Sequence, residues 1–585
     1  MIHRGTEIRD GMQIQWDVGI RADDGVVLRA DVFRPTGEAG YPVVLSYGPY
    51  GKGLAFQEGN KHAWDRLTAA YPYLLAGSTN KYQNWEVVDP ERWVPDGYAV
   101  VRVDSRGMGR SPGFFDPWSP RETRDLYQCI EWAGTQPWCN GKVGLNGISY
   151  HAMNAWQVAS LQPPHLAAIC AWEGSGDYYR EASRHGGILN QMLIHWWFPR
   201  SILRVQYGLG EKGLRSAVTG ELVSGPETLP EEVLAENRID LEAWMLKHRL
   251  DEKAHRGRSP QWEDISVPFL SAANWGGHGL HTRGNFEGYV NAASTRKWLE
   301  VHGGAHWEHF YTEYGERLQK RFFGYFLKGE SNGWDQQPPV LLQVRHVDRF
   351  VERSENEWPL ARTKWTKFFL DPTDCSLRMD PPAEPAKIDY SALGDGVMFL
   401  TPPLKEELEI TGPVAANLFV SSATRDADVF LVLRVFTPDG REIVFQGAND
   451  PNSPIALGWL RASHRKLDKA QSREYRPYHS HDEVQPLNPG KAVELNIEIW
   501  PTSIVVPPGY RIGLSIRGKD YEYAGPPIPM PRFKHPFRGV GPFMHNHPQD
   551  RPPEVFGGKV SLHFGAAHKP HLLLPIIPPK GTGAR

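Results

Sequence analysis

A short strand candidate, Lys142 to Leu145, runs directly into Gly147-Ile148-Ser149-Tyr150-His151 and then into an alanine-rich helical stretch that ends near Leu161. Few folds turn a strand into a helix so abruptly. Upstream, Val26 to Phe33 and Tyr41 to Ser46 read as strands, and Tyr98 to Asp104 is a β-branched run of the buried kind. A helix start follows at Ser119, with Pro120 at the first helical position, Glu122 three residues after the cap, and Leu126, Cys129, Ile130 and Ala133 at helical spacing. Strand, helix, strand, tight turn, helix is the grammar of a parallel α/β sheet.

The series continues through Leu166 to Trp172, Val267 to Ala272 and Trp298 to His302. Between the first two of these lie about 90 residues without strand periodicity, including Glu231 to Leu250, which predict a helical cap over one sheet edge. After a helix ending in Phe322 to Gly329 the grammar changes at the polar, proline-rich stretch Ser331 to Pro339. Beyond it apolar residues alternate: Leu495, Ile497 and Ile499; Ile512, Leu514 and Ile516; Val560, Leu562 and Phe564. Short alternating strands between Gly/Pro turns predict an antiparallel β-sandwich of jelly-roll type. The expected domains are therefore an α/β domain over 1–175 and 265–335, a helical cap over 176–264, and a C-terminal sandwich over 336–585.

The formal charge is −3 over 585 residues, so there is no basic excess with which to neutralise phosphates, and nucleic acid is not expected as a partner. No apolar run approaches the roughly 18 residues that span a bilayer. The four cysteines, Cys129, Cys139, Cys170 and Cys375, lack metal-type spacing, and the N-terminal MIHRGTEIRDGMQ has no apolar signal-peptide core. The expectation is a cytoplasmic protein without a cofactor, acting on a small molecule, with a homo-oligomer left open.

Gly-x-Ser between a strand and a helix is a nucleophile elbow: small neighbours let the backbone bend sharply, and the serine hydroxyl stands clear of the sheet. Ser149 is the candidate, although His151 stands where many such turns have glycine. The stretch Pro137 to Tyr150 (PWCNGKVGLNGISY) resembles the cocaine esterase and X-prolyl dipeptidyl-peptidase group of α/β hydrolases (CocE/NonD, peptidase S15-like). Asp104 to Gly113 (DSRGMGRSPG), Pro42 to Tyr50 (PVVLSYGPY) and Gly458 to Arg465 (GWLRASHR) resemble further segments of that group in the same order. The resemblance implies an α/β-hydrolase sheet with a C-terminal jelly-roll domain. It also implies that the Tyr150 backbone N–H and the Tyr50 hydroxyl face the oxyanion of a tetrahedral intermediate; Asp104 and Arg106 are read as structural, a loop-fixing pair rather than catalytic groups.

A nucleophilic serine needs a histidine to take its proton. The group's G-P-W-x-H segment lines up with His302 to His306, which puts His306 in the base position. His302, His306 and His309 together also admit a zinc site, against which stands the lack of any H-E-x-x-H. The group carries its acid after the strand corresponding to Val267 to Ala272, yet Gly277 occupies that place here. Glu173, at the end of Leu166 to Trp172, is the expected replacement. Asp177, read as a helix cap with Arg180, and Glu287 are the alternatives, as is a Ser-His dyad; Glu308 is too near His306 in sequence to orient it.

The leading expectation is a serine hydrolase that cleaves a carboxylic ester or amide through an acyl-enzyme. An X-Pro aminopeptidase-like activity and acyl transfer remain alongside it, as does a non-catalytic binding protein using Trp196, Trp197, Trp275 and Trp307 as its platform. His479, His481, His545 and His547 are expected in solvated loops.

Overall fold

The computed structural model describes residues 6–527 and 536–579; the first five residues of the N-terminal stretch read above lie outside it. Eleven strands form one sheet in the spatial order Glu7–Arg9, Met12–Arg21, Val27–Arg34, Ala99–Asp104, Tyr41–Gly48, Cys139–Ile148, Leu166–Trp172, Phe269–Asn274, Lys297–His302, Val340–Arg345 and Phe350–Glu355. From Ala99–Asp104 to Val340–Arg345 every neighbouring pair is parallel. Each residue of Ala99–Asp104 is buried, as expected of a parallel strand covered on both faces.

The helix Pro120–Gly134 begins where its capping residues predict, with the Ser119 hydroxyl accepting from the Glu122 N–H at 3.3 Å. The Glu122 carboxylate accepts from Trp118 N at 2.7 Å, one residue before the cap. Chain order reverses direction at Tyr41–Gly48, which has Ala99–Asp104 on one side and Cys139–Ile148 on the other. Ligand sites of open α/β sheets form at such a switch point, beyond the carboxyl ends of the strands.

The C-terminal strands form a twelve-stranded, mostly antiparallel sheet that closes on itself, because Leu408–Ser422 pairs with both Val493–Val506 and His571–Ile577. The result is a barrel-like sandwich. The alternating apolar residues at 495–499, 512–516 and 560–564 all point into its core.

Two expectations change. Val340–Arg345 and Phe350–Glu355 extend the first sheet past 335, since Val340 pairs with Leu299 and with Glu355. They follow the polar, proline-rich stretch at which the change of domain is expected, and only the identity of the pairing edge assigns them to the first sheet. Within 176–264, Glu231 to Leu250 forms two short helices, Glu231–Glu236 and Leu241–Lys247.

His479, His481, His545 and His547 are not solvated: they are 6%, 3%, 0% and 4% exposed. The cap covers them. His545 Nε2 lies 2.7 Å from His185 Nδ1, and the Arg180 guanidinium donates to the His479 carbonyl. Buried ion pairs reinforce this junction, with Arg184 Nη1 at 2.7 Å and Arg461 Nη2 at 2.9 Å from the Asp550 carboxylate. Asp550→Ala would leave the buried Arg184 without a counter-charge, while Arg461 keeps Asp428, and should cost about 3–5 kcal/mol in chemical denaturation. A cost below ~1 kcal/mol would mean that the junction opens to water.

Among the described residues no helix is long and apolar enough to cross a membrane.

Candidate active site

Parallel register brings three strand ends together: Ile148 lies beside Trp172, Trp172 beside Ala272, and Asn274 beside His302. Ser149, Glu173 and His302 therefore emerge on one edge. Ser149 has φ 55° and ψ −109°, a conformation costing on the order of 1–3 kcal/mol that the surroundings must hold. Its N–H donates to Trp172 O at 2.9 Å, and the preceding Ile148 N–H donates to Glu86 O at 3.0 Å. Gly147 is required for this approach, because a Cβ there would meet His151 Cβ at 2.5 Å and Glu86 O at 3.0 Å. His151 fills the space behind the turn, and burial depresses its imidazole to about 3, leaving it neutral.

Glu173 sits at φ 47° with its N–H on Ala272 O at 2.7 Å, which turns its side chain across the strand ends. Its Oε2 lies 2.8 Å from His306 Nδ1 and its Oε1 2.9 Å from His302 Nε2. The Asn274 amide donates to Glu173 Oε1 at 3.2 Å and to Gly304 O at 2.9 Å, tying the acid to the loop that carries His306. Burial alone would raise Glu173, but the charges and hydrogen bonds of His306 and His302 hold it down to about 2. Burial would likewise depress the two imidazoles, yet the carboxylates around them raise His306 to about 9 and His302 to about 10.

Ser149, His306 and Tyr50 line one cavity of about 460 Å³, walled by Trp85, Trp118, Met192, Leu193, Trp196, Trp197, Leu280 and Trp307. Asn449, Pro451, Phe537, Pro542 and Phe543 close it from the C-terminal side. The backbone joins the two parts here, with His306 N donating to Ala448 O at 3.0 Å and Ala448 N to Gly276 O at 2.9 Å. The Tyr50 hydroxyl accepts from Trp197 Nε1 at 3.2 Å, and burial pushes its pKa up, so it remains a proton donor. Tyr150 opens the helix Tyr150–Ala159, whose first N–H groups have no partner within the helix. Its own hydroxyl is turned away onto Glu122 at 2.5 Å.

The other carboxylates are engaged elsewhere. Asp177 caps the turn Tyr178–Ser183 by accepting from Arg180 N at 3.0 Å and pairs with its guanidinium at 2.8 Å. Glu287 pairs with Arg476, and Glu308 accepts from Ala305 N and the Tyr71 hydroxyl. Gly277 leaves no room for a side chain: a Cβ would lie 2.9 Å from the His281 backbone, whose ring stacks on His306 at 4.2 Å. Asp104 and Arg106 do not pair with each other. Asp104 accepts from Lys52 N and Arg110 N, whereas Arg106 binds Asp125 and Asp24, because the turn between them points their side chains apart. Trp275 is a core residue packed on Phe286, not part of the cavity.

His302, His306 and His309 do not converge as metal ligands. Both nitrogens of His302 and of His306 face carboxylates. Among the described residues His195, Glu242 and His547 do come within metal-binding reach of one another. There, however, His547 Nδ1 accepts from Gln549 N at 3.3 Å, which leaves the proton on Nε2, directed at Glu242.

One residue of the site carried no sequence signal. Glu86 is 3% exposed, has φ 64°, and places Oε1 3.2 Å from His306 Nε2, the nitrogen expected to face Ser149. It follows Trp85 in a loop without a motif.

Residues 24–311 match the family model described as X-Pro dipeptidyl-peptidase (S15 family), and residues 332–572 match the X-Pro dipeptidyl-peptidase C-terminal non-catalytic domain. Cocaine esterase of Rhodococcus sp. (strain MB1 Bresler) is 25% identical over 95% of this chain and 97% of its own length. The crystal structure of a CocE/NonD family hydrolase from Staphylococcus aureus superposes with a TM-score of 0.81 at 30% identity, covering 97% of this chain and 94% of that one. An aminopeptidase from the marine sediment archaeon Thaumarchaeota archaeon shares the fold, with a TM-score of 0.68 at 16% identity over 99% of each chain.

Proposed function

The chain belongs to the CocE/NonD and S15 family of serine hydrolases, and from that membership we propose that it hydrolyses a carboxylic ester or amide through an acyl-enzyme formed on Ser149. In this reading Ser149 Oγ bonds to the acyl carbon as its proton passes to His306 Nε2. The resulting oxyanion accepts from the Tyr50 hydroxyl and the Tyr150 N–H. Collapse expels the alcohol or amine, which leaves with the proton from Nε2, and water then repeats the steps in reverse to release the acid. Glu173 holds Nδ1 and compensates the imidazolium. The observation that carries this reading is the 2.8 Å contact of Glu173 with His306 Nδ1, on the same cavity wall as the strained Ser149.

The apolar, tryptophan-rich wall favours a hydrophobic or aromatic acyl group on a small-molecule substrate. X-Pro aminopeptidase-like activity is the second reading, favoured by the description of the matched family. A fluorophosphonate probe followed by peptide mapping tests the nucleophile: labelling at Ser149 supports the proposal, and its absence rejects it. A panel of p-nitrophenyl esters, simple anilides and X-Pro anilides separates the two substrate classes.

Tyr50→Phe removes one oxyanion donor and keeps the ring, so kcat should fall by about 100-fold or more with little change in KM. An unchanged kcat would reduce Tyr50 to a packed aromatic.

A further inference from the structure

Five side chains form an unbranched chain of alternating acid and imidazole: Glu300, His302, Glu173, His306 and Glu86. The successive oxygen-to-nitrogen distances are 2.7, 2.9, 2.8 and 3.2 Å. An ionised carboxylate can only accept, so each of these contacts requires an imidazole N–H, and four contacts use all four nitrogens of the two rings. With Glu86 ionised, which its burial opposes and the neighbouring His306 favours, His306 carries a proton on Nε2 as well as on Nδ1 at rest. Its Nε2 proton points at Glu86, whereas the base of the proposed mechanism needs a bare Nε2 facing Ser149.

We propose that Glu86 is a positioning residue for His306: it holds the Nε2 proton in the resting enzyme and so sets the pH at which Nε2 can accept a proton from Ser149. The inference rests on the reading of Ser149 and His306 as nucleophile and base. Glu86 is fixed independently of that role, since its backbone carbonyl receives the Ile148 N–H at the elbow, and the Tyr311 hydroxyl anchors the same loop at Asn84 O, 3.3 Å away. Its carboxylate is also coupled to the Tyr50 hydroxyl, so base and oxyanion donor share one anchor.

The remaining titratable neighbours do not substitute for it. Glu173 acts on Nδ1; His281, stacked on the ring, is kept neutral by burial; His302 and His309 lie on the far side of Glu173. Arg66, on the cavity rim, is turned toward Trp307 and Gln446. Tyr311 is held in its protonated form by burial.

The rate at which a fluorophosphonate inactivates Ser149, measured against pH, reports the fraction of His306 able to act as base without requiring a known substrate. In the unaltered protein the acid limb should fall near pH 9, where burial is outweighed by Glu173 and Glu86 acting on His306. Glu86→Gln removes one of the two flanking charges and should move that limb down by at least about one pH unit. Labelling at pH 7, relative to the variant's own plateau, then rises by about 10-fold. Glu86→Asp, which withdraws the carboxylate by one methylene, should shift it in the same direction by less.

Superposable profiles for all three proteins would overturn the proposal. Loss of the folded state in both variants would do so as well, by making Glu86 a folding element. Failure of the unaltered protein to label at Ser149 would instead defeat the nucleophile assignment on which the proposal rests.

Discussion

Ser149→Ala is expected to abolish turnover and leave the protein folded. The hydroxyl oxygen is the atom that bonds to the acyl carbon, so nothing in the proposed chemistry replaces it; the oxyanion donors and the cavity alone leave only the small residue of catalysis that triad-deleted hydrolases retain. Folding should not suffer, because Ser149 is 9% exposed, faces the cavity and is held by backbone bonds that alanine keeps. Stability is expected to stay within about 0.5 kcal/mol of the parent. Activity above a few per cent in the folded variant would remove Ser149 from the mechanism.

Glu173→Gln should lower kcat by up to about 10⁴-fold, since the amide keeps the shape but removes the charge that stabilises the imidazolium and selects its tautomer. Sequence reading alone expects little change in stability, but the geometry alters that expectation. The carboxylate bridges His306 and His302 and also receives Asn274, so its loss takes one of two flanking carboxylates from each buried imidazole, leaving Glu86 on His306 and Glu300 on His302. A cost of about 1–3 kcal/mol is expected near pH 6.

The sign of the pH dependence follows from the shifts. The two histidines are raised to about 9 and about 10, so their contribution is complete below their unfolded value near 6.5 and is lost as pH rises through 9 to 10. Glu173 is depressed to about 2, so its share is complete above about 4.5 and is lost as pH falls through 2. The difference between parent and Glu173→Gln in urea denaturation should therefore be largest between about pH 4.5 and 6.5 and shrink toward pH 10. Asp177→Asn, which alters a cap, should cost on the order of 1 kcal/mol and leave kcat nearly intact. If kcat instead follows Asp177 and ignores Glu173, the acid has been assigned to the wrong residue.

Local residue order was enough to specify much of this molecule. A strand entering Gly147-Ile148-Ser149, a capped helix after Ser119 and apolar alternation beyond residue 490 are properties of neighbouring residues, and the backbone expresses them where they occur in the chain. The glycine at 277, at the place where the resemblance implies an acid, was legible too, since a missing side chain is a fact of sequence.

The sequence offered Glu173 among several carboxylates for that place, and tertiary structure decided which of them stands beside His306. Glu173 reaches His306 because parallel register sets Trp172 beside Ala272 and a left-handed turn then directs the carboxylate sideways, while the close approach of His281 excludes any side chain at Gly277. Glu86 contacts His306 at a sequence separation of 220, and nothing in its own neighbourhood encodes that meeting. The edge on which Val340–Arg345 pairs and the burial of His479, His481, His545 and His547 under the cap are of the same kind. Hydrophobic period and turn chemistry are read within a few residues, whereas the partner of a buried charge is chosen by whichever distant group the packed fold brings within 3 Å, because only there does desolvation make the pairing compulsory.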